Sequence, residues 1–280
     1  MSVTAFETPQ HAPDNAPQRA PDDPPQRAPD APAALETRQL RKAFGAFVVT
    51  NNVDFRLEPG ARHALIGPNG AGKTTFVNLV SGALTASSGS IHLNGLDVTR
   101  EPQARRVKRG LIRTFQINQL FRKLTVLENV TLAISERDGL ASNMLRPAGA
   151  NRSAIDEAYG LLVRVGLGPE ALRPITDLAY GRQRMVEIAV ALALKPTVLL
   201  LDEPAAGVPT GEVGIIIDLI QQLPADIAIM LIEHDMDIVF RIAKRITVLV
   251  EGTTLVEGPP AEIAANPKVR EVYLGERNSQ

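Results

Sequence analysis

The sequence predicts an α/β fold, with a largely parallel sheet and a helical subdomain inserted in it. Three observations support this prediction. From Leu35 onward, short apolar runs alternate with helical patterns, which is typical of parallel strands joined by helices. Two runs with the pattern of buried strands, at 64–66 and 198–201, are separated by a long stretch of mainly helical pattern. A glycine-rich turn and then a helical pattern follow the first of these runs.

The N-terminal segment, residues 1–34, differs in composition from the rest of the chain. It contains eight of the 21 prolines, and the hexapeptide PQRAPD occurs twice, at 17–22 and 25–30. Such a segment cannot bury enough apolar surface to offset its ordering entropy, so we predict a disordered tail. A proline-rich docking ligand is the alternative interpretation.

The remaining elements follow in order along the chain. A helix is predicted from about residue 73 to 80, and further buried strands at 198–201 and 227–232. The clearest helix of the insert covers 180–194. Its apolar residues recur at i, i+3, i+4 and i+7, and they are Met185, Ile188, Ala189 and Leu192. Residues 136–153 are predicted to form a loop within the insert.

Composition and charge argue against several classes of protein. A net charge of −1 argues against a nucleic-acid binder, which should carry a clear basic excess. The chain has no cysteine, which excludes a disulfide scaffold and a cysteine nucleophile and is compatible with a reducing cytoplasm. No apolar run reaches the roughly 18–20 residues that span a bilayer, and the N-terminus lacks a signal-peptide pattern. For work at a membrane, we therefore expect a partner that spans it.

A phosphate-binding loop follows the first strand. Residues 67–74 read GPNGAGKT and match GxxxxGK[ST], between a buried strand and a helix. Glycines let successive N–H groups point at a phosphate, and the helix N-terminus adds its positive dipole end. We expect Lys73 to bridge the β- and γ-phosphates and the Thr74 hydroxyl to bind Mg²⁺. The predicted nucleotide contacts are Gly67, Pro68, Asn69, Gly70, Ala71, Gly72, Lys73, Thr74 and Thr75.

Two acidic residues follow the apolar run at 198–201. Parallel strands present their carboxyl ends to the ligand crevice of an α/β sheet, which places Asp202 and Glu203 there. Neighbouring strand residues point to opposite faces, so the two carboxylates have different roles. We expect Asp202 to hold Mg²⁺, directly or through water, and Glu203 to polarise the water that attacks the γ-phosphate.

The order of five motifs resembles that of the ATP-binding-cassette (ABC) ATPases. The motifs are GPNGAGKTT (67–75), TFQ (114–116), LAYGRQR (178–184), LLLDEP (199–204) and IEHD (232–235). The resemblance covers roughly residues 35–276 and leaves a short tail at 277–280. It implies an ABC-type P-loop NTPase domain, with a RecA-like core sheet, an antiparallel β subdomain and a helical subdomain at about 117–195.

The resemblance also implies three residues that complete the ATP site. Gln116 would contact Mg²⁺ and the attacking water, where the membrane partner docks. His234 would contact the γ-phosphate and orient Glu203. The Phe44 ring would stack on adenine, which needs only a π face. Taken alone, His234 is also compatible with a structural role, and Phe44 with a place in the core.

The motif LAYGRQR separates this family from other phosphate-loop ATPases. The resemblance implies that its backbone binds the γ-phosphate held by the opposite subunit of a head-to-tail dimer, through Leu178, Ala179, Tyr180 and Gly181. The common pattern is LSGGQ, and Ala179 lacks the hydroxyl that would bond the phosphate. A hydrogen bond to a charged group contributes about 1.5–3 kcal/mol, so we expect one site to be slowed roughly 10–100-fold. Pro209 stands where the family has Asn or Asp, and we expect weaker communication between the two sites.

Several segments resemble the ATP-binding subunits of branched-chain amino acid importers, notably 113–130, 232–239 and 257–276. An alanine in the signature is common in one of that importer's two ATPase subunits. The resemblance therefore implies a heterodimer with a second ABC ATPase, bound to membrane permease subunits at the cytoplasmic face of the inner membrane. It implies ATP and Mg²⁺ as cofactors, an external binding protein as an indirect partner, and no nucleic acid. Urea, other amides and aromatic acids are alternative substrates.

Other functions remain open from the sequence. A soluble ATPase acting on ribosomes or DNA would normally carry two cassettes or a long coiled-coil insert, and this chain has neither. A regulatory partner that hydrolyses ATP slowly is favoured by Ala179 and Pro209 and opposed by the intact Lys73 and Glu203. An ATPase of a lipid or lipopolysaccharide exporter is the remaining transport alternative.

A basic run lies between the phosphate loop and the TFQ motif. It consists of Arg100, Arg105, Arg106, Lys108, Arg109 and Arg113. We interpret it as a solvated helix face rather than a surface for lipid head groups.

Overall fold

The computed structural model describes residues 32–114, 120–139 and 152–277. Residues 1–31 of the predicted disordered tail, Gln116 and most of the predicted loop at 136–153 lie outside these ranges. Within the described residues, no helix is long and apolar enough to cross a membrane.

The larger of two sheets has six strands and is mostly parallel. Its strands are β3 (Arg62–Ile66), β6 (Leu111–Arg113), β7 (Val198–Asp202), β8 (Ala228–Ile232), β9 (Arg245–Val250) and β10 (Thr253–Gly258). The order is β10-β9-β3-β8-β7-β6, and only the β10–β9 pair among the described strands of this sheet is antiparallel. Strands β7 and β8 are buried along their whole length. Their continuous apolar runs fit a parallel sheet that is covered on both faces.

The smaller sheet is antiparallel and carries the first strands of the domain. It contains β1 (Leu35–Phe44), β2 (Phe47–Leu57), β4 (Ser88–Leu93) and β5 (Leu96–Asp97), in the order β2-β1-β4-β5. Its buried residues join the core under the phosphate-loop helix, where the Phe55 ring lies 5.6 Å from that of Phe76. The predicted fold class, with a parallel core sheet and an antiparallel β unit, is confirmed by this architecture.

Nine helices lie in the described part of the chain. They are α1 (Lys73–Ser81), α2 (Gln103–Lys108), α3 (Val126–Arg137), α4 (Arg152–Arg164), α5 (Tyr180–Ala193), α6 (Thr210–Gln221), α7 (Met236–Ile242), α8 (Pro260–Ala265) and α9 (Pro267–Arg277). Helices α3, α4 and α5 pack on one another between β6 and β7 in sequence, so the insert is helical as predicted. A capping box of Thr125 and Glu128 starts α3. The apolar stripe of α5 is buried at Met185, Ile188 and Ala189.

The interpretation of the basic run as a solvated face is wrong for Arg106. This side chain is only 1% exposed. Its guanidinium donates to four backbone carbonyl oxygens, those of Leu79 (2.7 Å), Val80 (2.6 Å), Thr99 (3.0 Å) and Glu101 (3.0 Å). The last carbonyls of a helix lack partners within the helix, and a guanidinium offers five donors. Arg106 therefore caps the C-terminal end of α1 from α2.

A buried histidine makes the stability of this fold depend on pH. His63 on β3 is 1% exposed, and its Nε2 lies 2.8 Å from the Thr247 hydroxyl oxygen. That hydroxyl donates to a Glu257 carboxylate oxygen at 2.8 Å. Burial lowers the pKa of His63 from 6.5 to about 4, because the charged imidazolium is poorly solvated there.

Acidification from pH 7 to pH 5 is expected to lower the free energy of unfolding by about 2 kcal/mol through His63 alone. Between pH 6.5 and about 4 the unfolded chain binds a proton at this site and the folded chain does not, so stability falls with pH in this window. Urea unfolding at both pH values checks this. In His63→Gln, the free energy of unfolding should no longer fall by these roughly 2 kcal/mol between pH 7 and pH 5. In His92→Gln, a substitution on β4, the same fall should remain. An unchanged pH dependence in His63→Gln would contradict the assignment.

Candidate functional site

Three predicted functional segments follow three neighbouring parallel strands. The phosphate loop follows β3, Asp202 and Glu203 come at the end of β7, and His234 follows β8. The three strands are adjacent in the order β3-β8-β7. The carboxyl ends of parallel strands lie at the same edge of a sheet, so the topology brings these segments together. The Glu203 N–H donates to the Ile232 carbonyl at 2.9 Å, which joins the ends of β7 and β8.

The phosphate loop has a tightly curled backbone that depends on two glycines. Gly72 has a φ of +95°, and a Cβ there would lie 2.7 Å from the Val49 carbonyl oxygen. A Cβ on Gly67 would lie 2.2 Å from the Leu249 carbonyl oxygen. Gly72 is also the N-cap of α1, and within the described residues no side chain caps that end. The N-terminus of α1 thus carries no capping side chain from the described residues, and a helix N-terminus of this kind favours an anion.

The Lys73 ammonium lies across the phosphate loop. It donates to the carbonyl oxygens of Gly67 (2.5 Å) and Pro68 (2.9 Å). Thr74 is exposed, and Thr75 is half-buried. A cation and a helix N-terminus thus face the same space, which favours a phosphate group electrostatically.

Asp202 is held by a residue that we interpreted from the sequence as solvated. The Asp202 carboxylate accepts a hydrogen bond from the Arg113 guanidinium at 2.5 Å. The same guanidinium donates to the Asn78 side-chain oxygen at 2.6 Å. The Arg113 side chain is 13% exposed, so the predicted solvated face is wrong here too. Arg113 joins β6, α1 and β7, three elements that are far apart in sequence.

Glu203 lies just beyond β7 in an uncommon backbone conformation. Its φ is +48°, the left-handed region, which costs about 1–3 kcal/mol for a residue other than glycine. The chain therefore turns at Glu203 instead of continuing the alternation of an extended strand. The His234 Nδ1 lies 3.7 Å from a Glu203 carboxylate oxygen. The two predicted catalytic side chains are thus neighbours at the edge of the sheet.

A third acidic residue beside this pair has no counterpart among the sequence predictions. Glu233 is 2% exposed and accepts hydrogen bonds from the N–H groups of Ala205 and His234, both at 3.3 Å. Burial raises the pKa of its carboxyl group. The IEHD motif contains Glu233, but nothing in the local pattern shows that its side chain turns inward.

Phe44 lies at the end of β1, next to the turn into β2. It pairs with Phe47 across the hairpin and is 50% exposed. The alternative interpretation of Phe44 as a core aromatic is therefore wrong. The Lys42 ammonium lies 5.0 Å from the centroid of the ring. The exposed ring is free to contact a planar ligand.

The LAYGRQR segment forms the start of α5. Ala179 is the exposed N-cap and provides no side-chain hydrogen bond, whereas the Leu178 side chain is buried. Only the backbone of Leu178 can therefore reach a ligand. The Gly181 N–H donates to a Glu212 carboxylate oxygen at 3.2 Å. A carboxylate thus lies on the amide for which the resemblance implies a phosphate partner.

Arg184 connects the start of α5 to the loop after Glu203. It is 4% exposed and donates to the Tyr180 hydroxyl (3.0 Å) and to the Ala206 carbonyl oxygen (3.2 Å). The first turn of α5 and the loop that follows β7 therefore form one connected unit. Gln116, the remaining predicted site residue, lies outside the described residues.

Comparison with family models and curated proteins gives consistent matches. The family model described as ABC transporter matches residues 50–206, and the model described as branched-chain amino acid ATP-binding cassette transporter matches residues 253–278. The high-affinity branched-chain amino acid transport ATP-binding protein LivG of Escherichia coli K12 is 40% identical over 249 residues, covering 86% of this chain and 98% of that protein. The corresponding Pseudomonas aeruginosa protein, BraF, is 37% identical over 251 residues, covering the same shares of both chains.

Solved structures agree with these matches. An ATP-binding cassette of an ABC transporter in its ADP conformation aligns with a TM-score of 0.78 at 31% identity, covering 87% of this chain and 99% of that one. A nucleotide-free cassette aligns with a TM-score of 0.76 at 30% identity, covering 86% and 98%.

Proposed function

The chain belongs to the ABC transporter family, and from this premise we propose that it is the ATP-hydrolysing subunit of an importer for branched-chain amino acids. The observation that carries the proposal is the meeting of the phosphate loop, Glu203 and His234 at one edge of the sheet. The substrate class is supported by relatives that this chain matches over 98% of their length.

Nucleotide binding is assigned to the phosphate loop and the β1–β2 hairpin. The N–H groups of residues 69–75 surround the phosphates, and the Lys73 ammonium leaves its carbonyl partners to bridge the β- and γ-phosphates. The Phe44 ring stacks on the adenine, and its 50% exposure supports this role. ATP is thus held at its base and at its phosphates by two elements that the fold places on the same domain.

Hydrolysis is assigned to Glu203 and His234. Glu203 accepts a proton from the attacking water, and its strained backbone aims the carboxylate. His234 contacts the γ-phosphate and orients Glu203, which the 3.7 Å separation between their side chains supports. Gln116 is assigned to the attacking water and to Mg²⁺ by family resemblance alone.

The chemistry of the donor set fits Mg²⁺. The Thr74 hydroxyl and the Asp202 carboxylate are oxygen ligands, and Mg²⁺ at phosphate sites uses one or two such groups with phosphates and water. In the part of the chain that is described, no cluster of three or more His, Cys, Asp or Glu residues could hold a metal by itself. Mg²⁺ bound here with ATP would neutralise charge on the phosphates. Asp202 would hold Mg²⁺ directly or through water while it keeps its ion pair with Arg113.

The start of α5 is assigned to the ATP held by a second ABC ATPase subunit. Leu178, Ala179 and Tyr180 offer their backbone to its γ-phosphate, and Gly181 exchanges its Glu212 contact for that phosphate. Ala179 lacks the hydroxyl donor of the common signature. The ATP site that this segment completes on the second subunit is therefore the one with the slower hydrolysis. A heterodimer whose partner has a complete signature would compensate for it.

Membrane permease subunits are the proposed partners of the helical insert, at the cytoplasmic face of the inner membrane. A mainly apolar cavity of about 210 Å³ lies between β6 and α5 and supports this assignment. Thr114 and Leu120, which line it, flank the segment that contains Gln116. A permease that moves against this region would shift Gln116 and so change the position of a residue assigned to the hydrolytic site. An external binding protein would select the amino acid on the other side of the membrane.

The proposed function is tested by transport in proteoliposomes that contain the chain, its partner ATPase and the permease subunits. Leucine-loaded binding protein is expected to stimulate ATP hydrolysis and to drive leucine uptake. Glutamate with the same components is the matched negative substrate. Hydrolysis that is not coupled to leucine, isoleucine or valine uptake would refute the substrate class. No stimulation by any combination of partners would favour the slow regulatory subunit instead.

A further inference from the structure

The loop that carries Glu203 is held at two points. On one side, the Glu203 N–H donates to the Ile232 carbonyl at 2.9 Å. On the other side, the Ala205 N–H donates to a Glu233 carboxylate oxygen at 3.3 Å. Ile232 is the last residue of β8 and Glu233 is the next residue, so both acceptors lie where this strand leads into His234. The position of Glu203 is therefore determined from β8 rather than from its own strand alone.

The second Glu233 carboxylate oxygen contacts His234, the other residue proposed to take part in hydrolysis. It accepts from the His234 N–H at 3.3 Å and lies 3.9 Å from the His234 Nδ1. One buried carboxylate therefore accepts hydrogen bonds from the loop that follows Glu203 and from the backbone of His234. Among the basic side chains of the described residues, the His234 imidazole lies within 4.0 Å of this carboxylate.

Burial of this carboxylate calls for a specific explanation. A carboxylate that is 2% exposed loses most of its hydration, and burial accordingly raises its pKa. A salt bridge to an Arg or Lys is the usual compensation inside a protein, as Arg113 provides for Asp202. Glu233 instead faces the two backbone amides, the His234 ring and the Glu203 carboxylate. These groups all belong to the segments proposed to perform hydrolysis.

We propose that Glu233 is a positioning residue for ATP hydrolysis, which ties the loop after Glu203 to the segment of His234 and so sets their separation. Among the described residues, the hydrogen bonds and ion pairs of Glu233 reach Ala205 and His234 but neither the phosphate loop nor Asp202. Glu233 therefore affects the rate of hydrolysis and not the binding of ATP. The strained φ of +48° at Glu203 makes such support necessary, because an uncommon conformation persists only when its surroundings maintain it. This inference rests on the ATP hydrolysis proposed above.

The test compares kcat with ATP affinity in two variants of the full chain, assayed with its partner subunits. Glu233→Ala removes both backbone contacts and is expected to lower kcat about 10–30-fold, since each lost hydrogen bond in a catalytic arrangement changes a rate several-fold. Glu233→Gln keeps one acceptor oxygen and about the same volume, so it should lower kcat only about 3-fold. The affinity for a fluorescent ATP analogue is expected to stay within about 2-fold of wild type in both variants.

Glu257→Gln is the matched control, a partly buried glutamate in the His63 network. It should lower the melting temperature but leave kcat of the folded protein unchanged. Equal kcat values for wild type and both Glu233 variants would overturn the proposal, as would a loss of ATP affinity in proportion to kcat. If Glu233→Ala does not fold, the test rests on Glu233→Gln. A lower kcat with unchanged ATP affinity in that variant supports the proposal, and an unchanged kcat overturns it. Wild-type turnover that is abolished by Glu203→Gln shows separately that the underlying ATPase assignment holds.

Discussion

Glu203→Gln is expected to lower the kcat of ATP hydrolysis by roughly 10²–10³-fold, because a positioned general base contributes about that factor. The substitution removes the proton acceptor while it keeps the size of the side chain. ATP affinity should change little, since the phosphate loop and Lys73 remain intact. The variant should therefore bind ATP and retain it.

Glu251→Gln is a closely matched control for this variant. Glu251 also has a left-handed backbone, with a φ of +47°, and its side chain is exposed on the turn between β9 and β10. Any effect of placing Gln in this conformation is therefore present in both proteins. Turnover is measured by phosphate release and ATP binding by fluorescence titration. Turnover in Glu203→Gln at the level of the control would refute the assignment of Glu203 as general base.

Arg106→Met is expected to lower the free energy of unfolding by about 3–5 kcal/mol, the largest stability effect that we predict. The variant retains an apolar side chain about as long as the aliphatic part of arginine but leaves the carbonyl oxygens of Leu79, Val80, Thr99 and Glu101 without the guanidinium donors. Buried acceptors that lose their donor bear the full cost of desolvation. The effect should appear in urea unfolding at pH 7.5.

Arg109→Met, only three residues away, provides the comparison. Arg109 forms a bidentate ion pair with Glu101, but its side chain is 40% exposed. Exposed ion pairs contribute about 1 kcal/mol or less, so this variant should be close to wild type in stability. Equal losses in the two variants would contradict the capping role of Arg106. The two arginines belong to one basic run, so the comparison isolates burial from charge.

Local patterns account for most of what could be predicted. The continuous apolar run at 198–201 is long enough to identify a buried strand, and β7 extends it by one residue to Asp202. The phosphate loop is recognisable because binding a phosphate with backbone amides requires glycines and a lysine at close spacing. These properties are encoded within about ten neighbouring residues, so they can be read without knowing the fold. The placement of Gln116 stays a prediction.

Contacts between distant segments could not be predicted in the same way. Arg106 and Arg113 belong to a run of six basic residues that look alike in sequence, yet Arg106 is buried and the Arg113 side chain is only 13% exposed. Their distant partners lie on α1 and β7, up to 89 positions away. Whether a long cationic side chain is solvated depends on which acceptors the fold brings within reach.

The sequence by itself determined the elements and chemical groups of this protein: a parallel sheet, a phosphate loop, and an acidic pair after a strand. Only the tertiary structure decided how those groups are held. The neighbouring positions of β7 and β8 bring Glu233 under both Glu203 and His234, and the end of the β1–β2 hairpin leaves Phe44 exposed. The physical reason is that backbone periodicity and turn chemistry act over a few residues, whereas burial and hydrogen-bond partners depend on strand order.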